Sequence, residues 1–468
     1  MANNSQAVTD VTEAREMGLD GFALNVQCPD AEWARNTIDL LFTAVSQQRS
    51  NDNDAFGLFF SMDMNVVQSP KDFLPLYKKY ASHEGYYTYQ GNPVLSTFRG
   101  GTHDFGHATP NEGWQIELKD ALKNDPDITV NMKTPFFIPN FDDWKGCINS
   151  PLDADFHRDH PVVDGVFAWE TAWSISSDNP PRDLTADDIT QLTARDEANL
   201  AAAREAKKAY MMPISSYQNK HLDQSQNWYR PGGLTLPTRL ADALRLKPDF
   251  VQLLTWNDAG EGHYFGNTWP EAIAGCTPIV DLIDGYDHSG WRALIAPFIT
   301  ALKQNVTDPG KVYPPFGKAV TGAFWYRPLL RDSDCSADTF GLEKPCGWHD
   351  AQDVISVAVL LPPSLPGEGS YDDSSSTCSE SSSPSCRFTI RVFSGDKLID
   401  SFKGEPGLNM KDVKGVRKGK QRVEVVFEEP SGGPNITLGS GTGLKDVTDD
   451  IKDLGGICNF NYQVVEIA

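Results

Sequence analysis

The 468-residue chain contains no run of 18 consecutive apolar residues, so no segment of it is built to cross a bilayer as a helix. It is also short of positive charge. Its 41 Lys and Arg stand against 64 Asp and Glu, a formal net charge of −23 that repels phosphate backbones and anionic lipid, which speaks against nucleic-acid and membrane partners. Residues 1–10 (MANNSQAVTD) have neither the basic nor the apolar region of a signal peptide. No Gly-x-Ser-x-Gly elbow announces a serine nucleophile, and no Gly-rich phosphate turn follows the first candidate strand. The 8 cysteines include no doubled Cys-x-x-Cys, which removes the commonest structural zinc pattern.

What is present is an alternation of short apolar runs with longer amphipathic stretches. Strands are predicted at 21–26, 57–62, 93–98, 134–139, 164–169, 209–214 and 250–255. Between them lie helix patterns: Ala34, Ile38, Leu41, Phe42 and Val45 recur with the spacing of one buried face, and Thr185 with Asp188 resembles an N-terminal cap. Seven strand-then-helix units predict a (β/α)8 TIM barrel over residues 1–308. Its first strand is missing, because the chain opens in the helix pattern of 8–17. The expectation is therefore an upstream strand, with a signal peptide before it, in the natural protein. From 309 to 468 the pattern turns to short alternating segments (355–361, 387–393, 421–427) among Gly, Pro and Ser, which predicts an all-β, sandwich-like accessory domain.

The cysteine spacing predicts two local disulfides, Cys335–Cys346 and Cys378–Cys386, and leaves pairing among Cys28, Cys147, Cys276 and Cys458 open. Sequons begin at Asn305 and Asn435 and fit a secreted protein.

Polar residues gather at the predicted strand ends, where a barrel collects its chemistry. Asp63 follows the second strand, and Ser96, Asn140 and Trp169 with Glu170 follow the next three. His221, Asn227 and Trp228 come after the sixth, and Trp256, Asn257, Asp258, Glu261, His263 and Tyr264 after the seventh. Three carboxylates among amides and aromatics suit glycoside hydrolysis, in which one acid must be protonated and another charged. The rival is zinc hydrolysis through His103, His107, His157 and His160. None of these sits in a helical His-Glu-x-x-His pattern, so they read as solvated loop residues and no metal or other cofactor is expected.

The segments WNDAGEGHY (256–264), SMDMN (61–65), PVLSTF (93–98), FIPNF (137–141) and PDFVQ (248–252), in consistent order with WYRP at 325–328, resemble fungal glycoside hydrolase family 71, the α-1,3-glucanases or mutanases. The resemblance runs over roughly residues 8–360. It implies a (β/α)8 barrel with a β-sandwich, endo-type hydrolysis of cell-wall α-1,3-glucan with inversion, and an extracellular or cell-wall location; a monomer is expected. It also implies Glu261 as general acid, Asp258 as base candidate and Asp63 as a third carboxylate. The remaining strand-end residues, Ser96, Asn140, Trp169, His221, Asn227, Trp228, Trp256, Asn257, His263 and Tyr264, are the substrate-binding candidates. The alternative is an α-glucan-binding protein with weak or no catalysis.

Overall fold

The computed structural model describes residues 3–49, 56–126, 134–173, 186–364, 387–428 and 434–468, with only the main chain at 186–190. The chain forms two compact units. The first takes residues 1–172, 191–214 and 248–253; the second takes 173–190, 215–247 and 254–468.

Up to residue 254 the main elements are α1 (Asn4–Glu16), β1 (Gly21–Val26), α2 (Glu32–Gln48), β2 (Gly57–Asp63), α3 (Pro70–Tyr80), β3 (Asn92–Phe98), β4 (Phe136–Phe137), β5 (Gly165–Phe167), α4 (Ala186–Glu205), β6 (Ala209–Ser215), β7 (Gln218–Asp223), β8 (Gln226–Arg230), α5 (Thr235–Leu246) and β9 (Phe250–Leu254). In the first unit β1 pairs with β2, β2 with β3, β3 with β4 and β5 with β6, all parallel. Isolated parallel bridges from Phe98 to Asn140 and from Asn140 to Phe167 carry the array across to β5, and β9 lies beside β6. The strands therefore follow one another in space as they do in sequence, the arrangement that helical crossovers between parallel strands produce.

All seven of these strands fall where the sequence predicts them, and for the inner ones the reason is burial on both faces. Leu58, Phe60 and Met62 on β2 and every residue of β6 are buried, which is why those segments read as continuous apolar runs. The outermost strands β1 and β9 are mostly half-buried. Two strands are shorter than predicted: 134–139 keeps only Phe136–Phe137 plus the bridge at Asn140, and 164–169 keeps Gly165–Phe167 before a 3-10 turn at Trp169–Ala172. Helix α2 buries Ala34, Ile38, Leu41, Phe42 and Val45, as their spacing predicts. A capping box of Ser69 and Asp72 starts α3. Thr185, read as a helix cap, lies outside the described residues.

The histidines at 157 and 160 correct the sequence reading. They are not solvated but buried, in and just after a one-and-a-half-turn helix at Ala154–Asp159, with His160 stacked on Phe156 at 4.6 Å. Burial holds the His157 imidazole down to about 4, so it stays neutral. They pack among Phe141, Trp144 and Phe156, neighbours that the short spacing alone does not reveal.

The second unit is strand-rich. After α6 (Arg292–Lys303) come β10 (Thr321–Tyr326), β11 (Val354–Leu361), β12 (Phe388–Ser394), β13 (Lys397–Gly404), β14 (Gly407–Lys414), β15 (Gln421–Phe427), β16 (Ile436–Thr442) and β17 (Gln463–Ile467). Two four-stranded antiparallel sheets form, in the orders β14-β11-β10-β17 and β13-β12-β15-β16. Their alternate residues meet in one core: Ile355, Val357 and Val359 from the first sheet, Ile390, Val392, Val423 and Val425 from the second. Each such side chain contributes roughly 1.5–3 kcal/mol by leaving water.

The predicted Cys335–Cys346 bond is not formed. Cys335 is bonded instead to Cys458, 123 residues on, with Cα atoms 5.5 Å apart, and Cys346 is free and exposed. Strand pairing explains the difference. Cys346 is drawn onto β8, its carbonyl accepting from Tyr229 N at 2.7 Å and its N–H donating to Asn227 O at 3.0 Å. The C-terminal segment meanwhile runs past Cys335, where Thr339 N donates to Gly456 O at 2.9 Å. Cys378 and Cys386 lie outside the described residues.

Candidate active site

The turn that follows β9 closes on itself. Thr255 N donates to His263 O at 2.7 Å, Phe265 N donates to Thr255 O at 3.0 Å, and Thr255 Oγ1 accepts from Asp258 N at 3.0 Å. Inside that loop Asp258 Oδ1 caps a 3-10 turn, Ala259–Glu261, by accepting the Glu261 N–H at 3.1 Å. The spacing Asp-x-x-Glu thereby puts two carboxylates on one turn, with an oxygen of each within 4.8 Å of the other. Gly262 ends the turn at φ +75°, where a Cβ would also stand 2.8 Å from the Tyr217 hydroxyl.

Glu261 is gripped from three sides. Gln218 Nε2 donates to its Oε2, Lys220 Nζ lies 3.1 Å from its Oε1, and His263 Nε2 lies 3.3 Å from its Oε2. The same His263 nitrogen is 3.8 Å from Asp258 Oδ2. His263 is fully buried, with Trp173 edge-on to its ring at 5.2 Å. Arg230 lies over Trp173 at 5.5 Å, and Lys220 over Trp228 at 4.9 Å.

These contacts push the two carboxyls apart in acidity. Burial works to raise Glu261, but the His263 hydrogen bond and the charges of His263 and Lys220 outweigh it and hold the carboxyl down to about 2. Asp258 moves upward, through burial first and then repulsion from Glu261, against the pull of His263. With 41% of the Asp258 side chain still exposed, solvent screens part of that rise. Burial acts to lower His263, yet the Glu261 hydrogen bond and the charges of Asp258 and Glu261 raise it overall, which favours the protonated ring beside the two carboxyls. Among the described residues Asp258, Glu261 and His263 form the one group spaced to hold a metal ion. The Lys220 ammonium, and a His263 ring pushed toward its protonated form, already offer positive charge to these carboxyls, so the trio fits an acid–base cluster better than a cation site.

Asp63 belongs to the first unit, at the end of β2. It is buried, accepting from Gln27 Nε2 at 3.1 Å and from Asn65 N at 3.0 Å. Burial raises its pKa against those two bonds and the charge of Arg99. Ser96 and Asn140 are also buried in that unit and serve the backbone: Ser96 Oγ donates to Ile138 O at 2.7 Å, and Asn140 Nδ2 to Phe167 O at 3.1 Å. Trp169 is half-buried, edge-on to Phe98 at 5.0 Å.

Of the other candidates, Trp228 and Asn227 are half-buried and Asn257 is exposed. Trp256 is half-buried, with Arg292 over its ring at 5.1 Å; a Cβ on Gly266 would stand 2.2 Å from that ring. Tyr264 is buried, stacked on His288 at 4.0 Å and donating to Tyr286 O at 2.6 Å. His221 is fully buried, turned toward Asn227 and Asp338. Sequence reading missed Gln218 and Lys220. They sit on β7, whose polar residues give no apolar run; the available signal was Asp223, whose carboxylate accepts from Ser225 N and Gln226 N in a tight turn between two strands.

The chain is similar to three glucan-acting proteins. It is 30% identical over 354 residues to the glucan endo-1,3-alpha-glucosidase agn1 of Schizosaccharomyces pombe, covering 75% of this chain and 73% of that protein. It is 27% identical to the ascus wall endo-1,3-alpha-glucanase of the same yeast, covering 74% of this chain and 73% of that one. It is 28% identical to a mutanase of Penicillium rubens, covering 75% and 68%. Among solved structures, the GH99 endo-alpha-mannosidase of Bacteroides thetaiotaomicron aligns at 10% identity over 65% of this chain and 81% of that one, with a TM-score of 0.44, a likeness too loose to assign a fold. Glycosyl hydrolase family 71 matches along residues 1–468, and the chain belongs to that family.

Proposed function

We propose that this protein hydrolyses internal α-1,3-glucosidic bonds of a cell-wall glucan, outside the cell, without a cofactor. The observation that carries the reading is the Asp258–Glu261 turn, where two carboxyls with oxygens within 4.8 Å of each other are shifted in opposite directions, Asp258 upward and Glu261 downward. Acid-assisted cleavage of an acetal needs one carboxyl protonated and another charged at the same pH. Relatives named for glucan endo-1,3-alpha-glucosidase and mutanase activity support the choice of linkage. In this reading residues 1–308 form a (β/α)8 barrel to which β1–β6 and β9 contribute seven strands, and residues 309–468 form a β-sandwich accessory domain.

The division of labour has two forms. The resemblance gives Glu261 the proton and leaves the water to Asp258 or Asp63. For Glu261 to donate, the incoming saccharide must first loosen the grip of Lys220 and Gln218; if that grip persists, Asp258 is the donor. An α-1,3-oligosaccharyl fluoride, whose leaving group needs no proton, sorts the two: the amide variant of the donor keeps turning it over and the amide variant of the base does not. The spacing bears on stereochemistry as well. An inverting pair holds a water between carboxyls roughly 6.5–9.5 Å apart. Inversion is the expected outcome, read from the anomeric configuration of fresh product by NMR; retained configuration would overturn it.

The test of the activity itself is release of new reducing ends from insoluble α-1,3-glucan, with β-1,3-glucan as control. Release from the α-linked polymer alone is expected. Co-sedimentation with the α-linked polymer without release would make the protein a binder and overturn the proposal.

A further inference from the structure

Successive residues of a strand point to opposite faces, and β7 uses both. Gln218 and Lys220 face the catalytic turn and hold the Glu261 carboxylate. His221 points the other way and is fully buried. Its Nε2 lies 3.2 Å from Asp338 Oδ1, and its Nδ1 lies 2.7 Å from Asn227 Oδ1, the residue opposite it on β8. Asp338 is itself fixed by backbone donors, accepting from Cys458 N at 2.7 Å, Phe340 N at 3.0 Å and Leu342 N at 3.1 Å. The outer edge of the hairpin is held too, by Asn227 Nδ2 to Glu343 O at 2.8 Å and by the paired backbone of Tyr229 and Cys346. The buried segment 457–462 adds a hydrogen bond between the hydroxyls of Tyr229 and Tyr462 at 2.9 Å, and another from the Tyr217 hydroxyl to Asn461 Oδ1. The Cys335–Cys458 disulfide joins the two stretches that supply these groups.

We propose that the β7–β8 hairpin is a positioning clamp for Glu261, with Lys220 and Gln218 as its jaws and the buried His221–Asp338 pair as the latch through which residues 335–346 and 457–462 set where the jaws stand. Residues far downstream of the catalytic turn thus act on the reacting carboxylate through one strand, as an outer layer of contacts orients an inner one. The charged groups against Glu261 are Lys220 from β7 and His263 and Asp258 from its own turn, so loss of Lys220 removes one of two cations. The clamp rests on reading Glu261 as a reacting group.

Two variants of the full chain test it, each followed by kcat and KM on α-1,3-glucan oligosaccharides across pH and by amide hydrogen exchange over residues 216–231. In Lys220→Met the pH limb governed by Glu261 moves upward by about one unit or more while exchange stays as in the wild type. In Asp338→Asn hairpin exchange accelerates at least about tenfold and kcat falls by a similar factor with KM within about twofold, the pattern of a misplaced group rather than a lost binding contact. His221→Gln, which removes the imidazole contact with Asp338, gives the same pattern if Asp338→Asn does not fold. A superimposable pH profile for Lys220→Met, or wild-type exchange and kcat for both latch variants, would overturn the clamp. If the wild type releases no sugar at all, the functional reading fails, while the exchange measurements still decide whether Asp338 holds the hairpin.

Discussion

Three donors on one carboxylate tie Glu261 closely into the candidate site, so its loss should be felt in both rate and stability. Glu261→Gln keeps the shape but can neither donate a proton nor carry the charge, so hydrolysis should fall by about 10²–10⁴ in a protein that still folds, with a lower melting temperature because the carboxylate held down by His263 and Lys220 is gone. Near-normal turnover would remove Glu261 from the chemistry. Gly266 acts by absence: a Cβ there would stand 2.2 Å from the Trp256 ring, so Gly266→Ala should displace that indole and change tryptophan fluorescence. An unchanged spectrum would show the ring lies elsewhere. Asp142 offers a pH test in the first unit. It is buried, and burial lifts its carboxyl from the ordinary 3.8 to about 6, helped by the charges of Glu170 and Asp143 and opposed by Asn140 and the Glu170 N–H. Because the folded pKa is the higher one, the group's stability is fully present below about pH 4 and is lost as pH rises to about 6, on the order of 2–3 kcal/mol. The melting-temperature advantage of Asp142→Asn over wild type should therefore grow between pH 4 and 6; a constant difference would contradict the buried, raised carboxyl. At this scale Asp258, Glu261 and Asp63 were legible because their residue types stand after apolar runs. Lys220 and Gln218 were not, since a polar strand looks like a loop until its partner is known.

Among elements, legibility followed burial. Strands buried on both faces announce themselves as apolar runs, and a helix such as α2 announces its inner stripe. The β7–β8 hairpin carries few apolar residues and is held by Asp338, Cys346 and Tyr462, all of them more than 100 positions away, so nothing local marks it. The disulfide went the same way: proximity in sequence favoured Cys346, and strand pairing chose Cys458. A crosslink spanning 123 residues removes about 5 kcal/mol of unfolded-chain entropy in the loop-closure picture. Non-reducing peptide mapping should recover Cys335 joined to Cys458 with Cys346 alkylated, and Cys335→Ser should melt several degrees lower. A Cys335–Cys346 peptide in the wild type would refute the pairing and weaken the latch.

For the molecule as a whole, composition excluded more than it specified. The −23 charge argues against polyanionic partners and leaves a neutral polysaccharide open, and only the ordered motifs narrow that to one glycosidase family. The change of pattern near residue 309 marks where the strand-rich region begins. The compact second unit is not bounded there: it also takes in 215–247, with the hairpin, and 254–308, with the Asp258–Glu261 turn. That grouping needs long-range contacts that no window along the chain contains. The central claim, that the Asp258–Glu261 turn hydrolyses α-1,3-glucan, is tested most directly by reducing-end release from that polymer by wild type, Glu261→Gln and Asp258→Asn side by side, each assayed well below its melting temperature. Release by the wild type is expected, with loss of about 10² or more in both folded variants. Release by either variant at the wild-type rate would contradict it.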